Sequence, residues 1–144
     1  MGVEYSPAPY FNLDEEFTVQ QIIKEGIQKK LFQSAHDVSE GGLITTLLES
    51  AMNRNVGFEV SQQNQTIRID AYWFGEGQGR IVVSIKPSSE NDFISFINHH
   101  NISIEKLGTV SAKSIIVNSE NWGTIEDWKN KYDTSIENIL QQNG

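Results

Sequence analysis

The chain has 144 residues, a formal net charge of −8 and no cysteine. That length suits one core built without staples, and the missing thiols exclude disulfides, thiolate metal sites and a cysteine nucleophile. The acidic balance opposes nonspecific nucleic-acid binding, and no apolar run approaches the roughly 20 residues of a membrane helix. A soluble, cytoplasmic protein with no nucleic-acid and no membrane partner is therefore expected.

In chain order, residues 1–14 hold two of the three prolines and read as an extended lead-in, because proline fixes φ and biases its predecessor against helix. Asn12 followed by Glu15 has the spacing of a helix cap. Phe17, Ile22, Ile23, Ile27 and Leu31 then predict an amphipathic helix. Phe32–Val38 reads as a short strand. Two glycines follow, and Leu43, Ile44, Leu47, Leu48, Ala51 and Met52 set a helical period over 43–53. Val56, Phe58 and Val60 alternate as a half-buried strand does. Polar residues 61–65 read as a loop.

Ile81–Ile85 is almost continuously apolar, which predicts a central strand covered on both faces. Phe93, Ile94, Phe96 and Ile97 predict a helix after Pro87-Ser88-Ser89. Ile104–Val110 and Ser114–Asn118 read as two strands of a hairpin turning at Ser111-Ala112-Lys113. Trp122–Lys131 and Thr134–Gln141 read as two short closing helices. Interspersed strands and helices predict an α+β fold, with a mixed sheet of about four to six strands and helices packed over it.

The chemistry concentrates in Ser34-Ala35-His36-Asp37-Val38-Ser39-Glu40-Gly41-Gly42-Leu43. It reads as strand end, tight turn and helix start. A helix's first turn carries unpaired N–H groups and partial positive charge, so an anion can sit there, and glycine lets backbone approach it closely. Asp37 could hold a hard cation such as Mg²⁺ two residues before the Ser39 hydroxyl. The pattern points to phosphate or nucleotide handling. A helix-capping turn with a buried histidine is the competing reading, since Asp and Ser both cap helices well.

His36-Asp37-Val38-Ser39-Glu40-Gly41-Gly42-Leu43 also resembles the signature of the C-terminal domain of the aminoimidazole-ribonucleotide-synthetase superfamily, in the form carried by the phosphoribosylformylglycinamidine synthase family. Ser6–Leu13 resembles the approach to that family's last domain, Arg80–Ile85 the strand after its serine- or glycine-rich turn, and Leu107–Val110 the strand before its closing helix. The resemblance implies a C-terminal synthetase-like domain over 15–144, cut from a larger ATP-dependent C–N ligase of purine biosynthesis with glutamine as amido donor. It implies Mg²⁺ and ATP in the parent, with Asp37 on the metal and Ser39 on nucleotide phosphate as in the family's long form; the turn reading adds Gly41 and Gly42 on phosphate, with His36 and Arg80 in support. The ending near Leu140 resembles the family's short form. The remaining ligands, the catalytic histidine and the glutaminase cysteine would lie elsewhere, so the chain alone is expected to be inactive, with no catalytic residue of its own and no tightly bound cofactor. The implied partners are the preceding synthetase domains and a glutaminase domain or subunit. A thiamine-monophosphate kinase-like or hydrogenase-maturation relative, and a freestanding nucleotide-binding or regulatory module, remain as alternatives.

Other features read more plainly. Gly75-Glu76-Gly77-Gln78-Gly79-Arg80 lacks the lysine of a phosphate loop and reads as a flexible turn, with glycines where the family usually has serines. Arg80 reads as one half of a surface ion pair. His99-His100 closes a helix without a metal-ligand spacing, and Trp73, Trp122 and Trp128 read as core or edge packing. A missing partner domain predicts an exposed apolar surface, with Tyr5, Pro7, Pro9, Tyr10 and Phe11 as first contributors and Trp73 and Phe74 as second.

Overall fold

The computed structural model describes residues 11–142 apart from positions 64 and 101. The lead-in residues Tyr5, Pro7, Pro9 and Tyr10 lie outside them. Twelve elements follow in order: α1 (Leu13–Gln28), β1 (Ser34–Asp37), α2 (Gly42–Arg54), β2 (Gly57–Val60), α3 (Ile69–Phe74), β3 (Ile81–Ser84), a 3₁₀ turn (Pro87–Ser89), α4 (Glu90–Asn98), β4 (Gly108–Ser111), β5 (Ser114–Val117), β6 (Glu120–Thr124) and α5 (Ile125–Gln142). They form two compact units, one from residues up to Thr46 and from Phe74–Ile104, the other from Leu47–Trp73 and from Glu105 onward.

In the first unit, α1 begins as the cap signal predicts. The Asn12 side chain accepts from the Asp14 and Glu15 amides, and its own amide donates to the Glu15 carboxylate at 3.0 Å. These contacts satisfy helix N–H groups that would otherwise be orphaned. Ile22, Phe96 and Ile97 form the buried cluster where α1 and α4 supply side chains to the same core, with Leu31, Phe93 and Ile102 against it. β1 and β3 pair antiparallel, His36 opposite Val82 and Asp37 opposite Ile81. β3 departs from the expected central strand. Its four residues are only half-buried in a two-stranded sheet, because β1 is its sole pairing partner among the described residues.

The second unit holds a four-stranded mixed sheet in the order β4-β2-β5-β6. β2 alternates as its sequence predicts, with Phe58 and Val60 buried and Glu59 exposed. Phe58 lies beside Ile115 and Val60 beside Val117 in the parallel β2–β5 ladder, so these four share the buried face.

Three expectations fail in this sheet. β4 and β5 are not a hairpin: β2 lies between them, antiparallel to β4 and parallel to β5. Two ladder steps separate their axes by about 9.6 Å, and three Cα–Cα steps of an extended link span roughly 10 Å, so a short link can arch over the strand between. Gly57 lies under that arch. A Cβ there would meet the Ser114 carbonyl oxygen at 2.2 Å and the Lys113 carbonyl carbon at 2.5 Å, while the Ser111 hydroxyl ties the arch by donating to the Ser114 carbonyl.

Trp122 stands in β6 rather than in a helix. Asn118 and Ser119 both have positive φ (50° and 67°) and join Val117 to Glu120, the two-residue turn whose twist suits a hairpin. Its Asn-Ser sequence hides the usual Asn-Gly signal. The two closing helices are one, α5. Thr124 caps it: its amide and hydroxyl donate to Asp127 (3.1 and 2.7 Å) while the Asp127 amide donates back to the Thr124 hydroxyl. The six-residue α3 was not anticipated.

Trp122 and Trp128 pack half-buried at 6.1 Å between ring centroids, and the Trp128 indole N–H donates to the Trp122 carbonyl. His99 and His100 close α4, and His100 packs edge-on against Phe96.

Candidate functional site

The turn between β1 and α2 has the strand–turn–helix form predicted for residues 34–43, with the helix opening one residue early, at Gly42. The polar residues reach it because β1 pairs through Asp37 and the ladder continues one bond further, from the Val38 amide to the Arg80 carbonyl. Val38 is then buried, and the chain must reverse within four residues to enter a helix whose first side chains, Leu43 and Ile44, are also buried.

Gly41 and Gly42 make that reversal with φ of 79° and 70°, a backbone region that L side chains rarely adopt. Gly42 is constrained twice: a Cβ there would lie 2.5–2.8 Å from the Phe74 backbone. The segment starting at Phe74 therefore rests directly on the opening of α2. Thr46, almost fully buried, donates its hydroxyl within reach of both the Gly42 and Asp37 carbonyls (3.2 and 3.3 Å), tying strand end to helix start.

Around this frame the predicted residues separate. The Asp37 carboxylate is 78% exposed, 3.8 Å from the His36 Nδ1. His36 is half-buried, its Nδ1 2.8 Å from the Asp37 carbonyl oxygen. Ser39 is exposed, and its carbonyl accepts the Gly42 amide at 3.0 Å. Arg80, expected in a surface ion pair, is held within its own loop. Its Nη1 donates to the Gly75 carbonyl at 3.2 Å, bridging the ends of the 75–80 turn. Asp37, Ser39, Gly41 and Gly42 thus stand together at one turn, and Arg80 adjoins it through the backbone.

Sequence reasoning missed Glu76. Its Oε1 accepts the Gly41 amide at 2.9 Å across 35 positions of sequence. A carboxylate therefore occupies the amide that an incoming phosphate oxygen would use. No local pattern announces this contact; the only hint was an acid set among the glycines of 75–79. Among the described residues no three His, Cys, Asp or Glu side chains converge as a metal cage would require. Asp37 is one donor of a site whose other oxygens must come from water, a ligand or another domain.

The turn lies within the part of the chain that a known family matches. The model of the family described as "AIR synthase related protein, C-terminal domain" matches residues 10–118. The chain is 42% identical over 106 residues to phosphoribosylformylglycinamidine synthase subunit PurL of Leuconostoc mesenteroides, covering 74% of this chain and 13% of that protein. It is 32% identical over 139 residues to the subunit PurL of Trichormus variabilis, covering 89% and 18%. The chain thus spans less than a fifth of the length of these relatives. Among solved structures, phosphoribosylformylglycinamidine synthase II of Thermotoga maritima superposes with a TM-score of 0.69 at 14% identity, covering 82% of this chain and 22% of that one. That likeness shows a shared α+β fold, and the shared sequence shows the family. The chain belongs to the family of AIR synthase related protein C-terminal domains.

Proposed function

We propose that this chain acts as the C-terminal domain of a phosphoribosylformylglycinamidine synthase, an ATP-dependent C–N ligase of purine biosynthesis that takes its amide nitrogen from glutamine. The observation that carries the reading is the family match over residues 10–118, which spans the whole His36–Leu43 turn, together with relatives named PurL. T. maritima PurL has been solved complexed with ATP and with FGAR, and a T. maritima PurLQS assembly has been solved as well. The same ligands and a glutaminase partner are proposed for the enzyme to which this domain belongs, in the cytoplasm.

Within that enzyme, Asp37 would supply one carboxylate oxygen to Mg²⁺ and the Ser39 hydroxyl would face nucleotide phosphate, while Gly41 and Gly42 shape the turn, their amides held by Glu76 and by the Ser39 carbonyl. His36 orients the turn and Arg80 holds the neighbouring loop. Mg²⁺ supplies charge neutralisation at phosphate when bound. The chain's own work is to hold a carboxylate and a hydroxyl in fixed order at a helix start, where the macrodipole favours negative charge. The donor set fits that role only in part, because a single exposed carboxylate does not complete a magnesium shell.

The test is a full-length chimera in which this chain replaces the matched segment of L. mesenteroides PurL. The chimera should form the amidine product in an ATP-dependent reaction. Asp37→Asn in that background should raise the KM for Mg·ATP or lower turnover at least tenfold. A chimera that folds and binds its glutaminase partner but makes no product would sink the proposal.

A further inference from the structure

Helix α1 has two apolar faces where a surface helix needs one. Ile22 and Gly26 are turned into the core of the first unit. On the opposite side, at helical spacing, stand Leu13, Phe17 and Ile27, which are 69%, 62% and 56% exposed. Ile23, half-buried, borders this stripe, and the stripe continues past the helix. Gln20, Ile23, Lys24, Ile27 and Gln28 line a shallow depression of about 480 Å³ with Ile81 of β3. The two-stranded sheet that carries Ile81 is marginal without further cover, because a lone pair of strands is rarely stable in water. The helix is firmly capped at Asn12, so the exposure is not that of a frayed end. Scattered apolar residues on a surface mean little, but Leu13, Phe17 and Ile27 share one helix face that leads into a depression beside an under-covered sheet, which marks an interaction surface.

We infer that the outer face of α1, together with Ile81, is the surface by which this domain docks on another domain of a PurL-type enzyme. This rests on the proposed function. The relatives are far longer than this chain, which spans 13–18% of them, so the matched segment has ample neighbouring protein to meet. Domain interfaces within a chain typically bury about 600–1,500 Å² of mixed polar and apolar surface, and this face likewise interleaves apolar residues with Gln20, Lys24 and Gln28. The first turn of α1 adds Asp14, Glu15 and Glu16 at one end of the stripe. The complementary patch is therefore apolar at its centre and basic at that rim. A second copy of this chain is the poorer occupant, since each copy carries a net charge of −8 and the pair would repel.

Hydroxyl-radical footprinting of Phe17, Leu13 and Ile27 tests the inference, comparing the isolated chain with the full-length PurL chimera against a common dosimeter. Labelling of Phe17 and Ile27 should fall at least fivefold in the chimera. If the chimera is active and labelling is unchanged, the docking face is wrong and the functional reading stands. If labelling falls in an inactive chimera, the face stands and the functional reading falls. Inactivity with unchanged labelling overturns both. Sedimentation of the isolated chain should show a monomer at micromolar concentration; a dimer abolished by Phe17→Asp would give the face to a second copy and overturn the inference.

Discussion

The carboxylate of Glu76 accepts the backbone N–H of Gly41 at 2.9 Å, joining a glycine-rich loop to the opening of α2. The bond places negative charge at a helix start, where the macrodipole favours it. It also means that the turn meets its own acid before it meets a ligand.

Replacing Glu76 with Ala should release the Gly41 amide to solvent. Because the pair is exposed, the loss in stability should be modest, about 0.5–1.5 kcal/mol. Hydrogen exchange at Gly41 should rise at least tenfold while exchange in the middle of α2 stays unchanged. Equal protection of Gly41 in wild type and variant would show that the bond does not persist in solution.

Gly42→Ala should be far more damaging. The substitution combines a φ of 70° with a Cβ 2.5 Å from the Phe74 carbonyl carbon. Strained backbone alone costs on the order of 1–3 kcal/mol, and the displacement of Phe74 adds to it. Denaturant titration should show a loss above about 2 kcal/mol; a loss below 1 kcal/mol would mean that the loop moves aside freely.

Acid should weaken the start of α5. The Thr124 hydroxyl and amide hold the Asp127 carboxyl below the usual aspartate range. A depressed folded value means that the stabilisation is present above the unfolded value and is lost as pH falls through the folded one. Hydrogen bonds and ion pairing to Lys29 lower Glu25, and those to Lys113 lower Glu126, in the same direction. Melting temperature should therefore drop as pH falls below about 4, the ordinary carboxylate range, and Asp127→Asn should flatten part of that drop. A variant with the wild-type acid profile would remove Asp127 from the cause.

Calorimetry on the isolated chain should give an affinity for Mg·ATP weaker than about 100 μM, because one carboxylate leaves most of a Mg²⁺ shell unfilled and the Gly41 and Gly42 amides are already bonded within the turn. Micromolar affinity would instead favour a freestanding nucleotide-binding module.

The expected partner surface was only partly legible in sequence. Phe11 and Phe74 are exposed as anticipated, both at 56%, whereas Trp73 is buried at 3% exposure. The stripe on α1 was not anticipated as exposed, because Phe17, Ile22, Ile23 and Ile27 read from sequence as one apolar set. Periodicity counts apolar residues around a helix, but it cannot tell which of two apolar arcs finds a partner.

The amino-acid sequence by itself determined the features whose causes lie within a few residues. Asn12 and Glu15 cap α1 because the groups they satisfy are three residues apart, and Gly41-Gly42 followed by Leu43 and Ile44 dictates a turn and then a buried helix start. The family signature at His36–Leu43 was legible for the same reason. Only the tertiary structure decided that β2 slides between β4 and β5, that Glu76 meets Gly41, and that Arg80 closes its own loop on Gly75. Strand neighbours and side-chain partners are chosen by which distant surfaces bury the most apolar area and satisfy the most backbone. Local spacing carries no record of that competition.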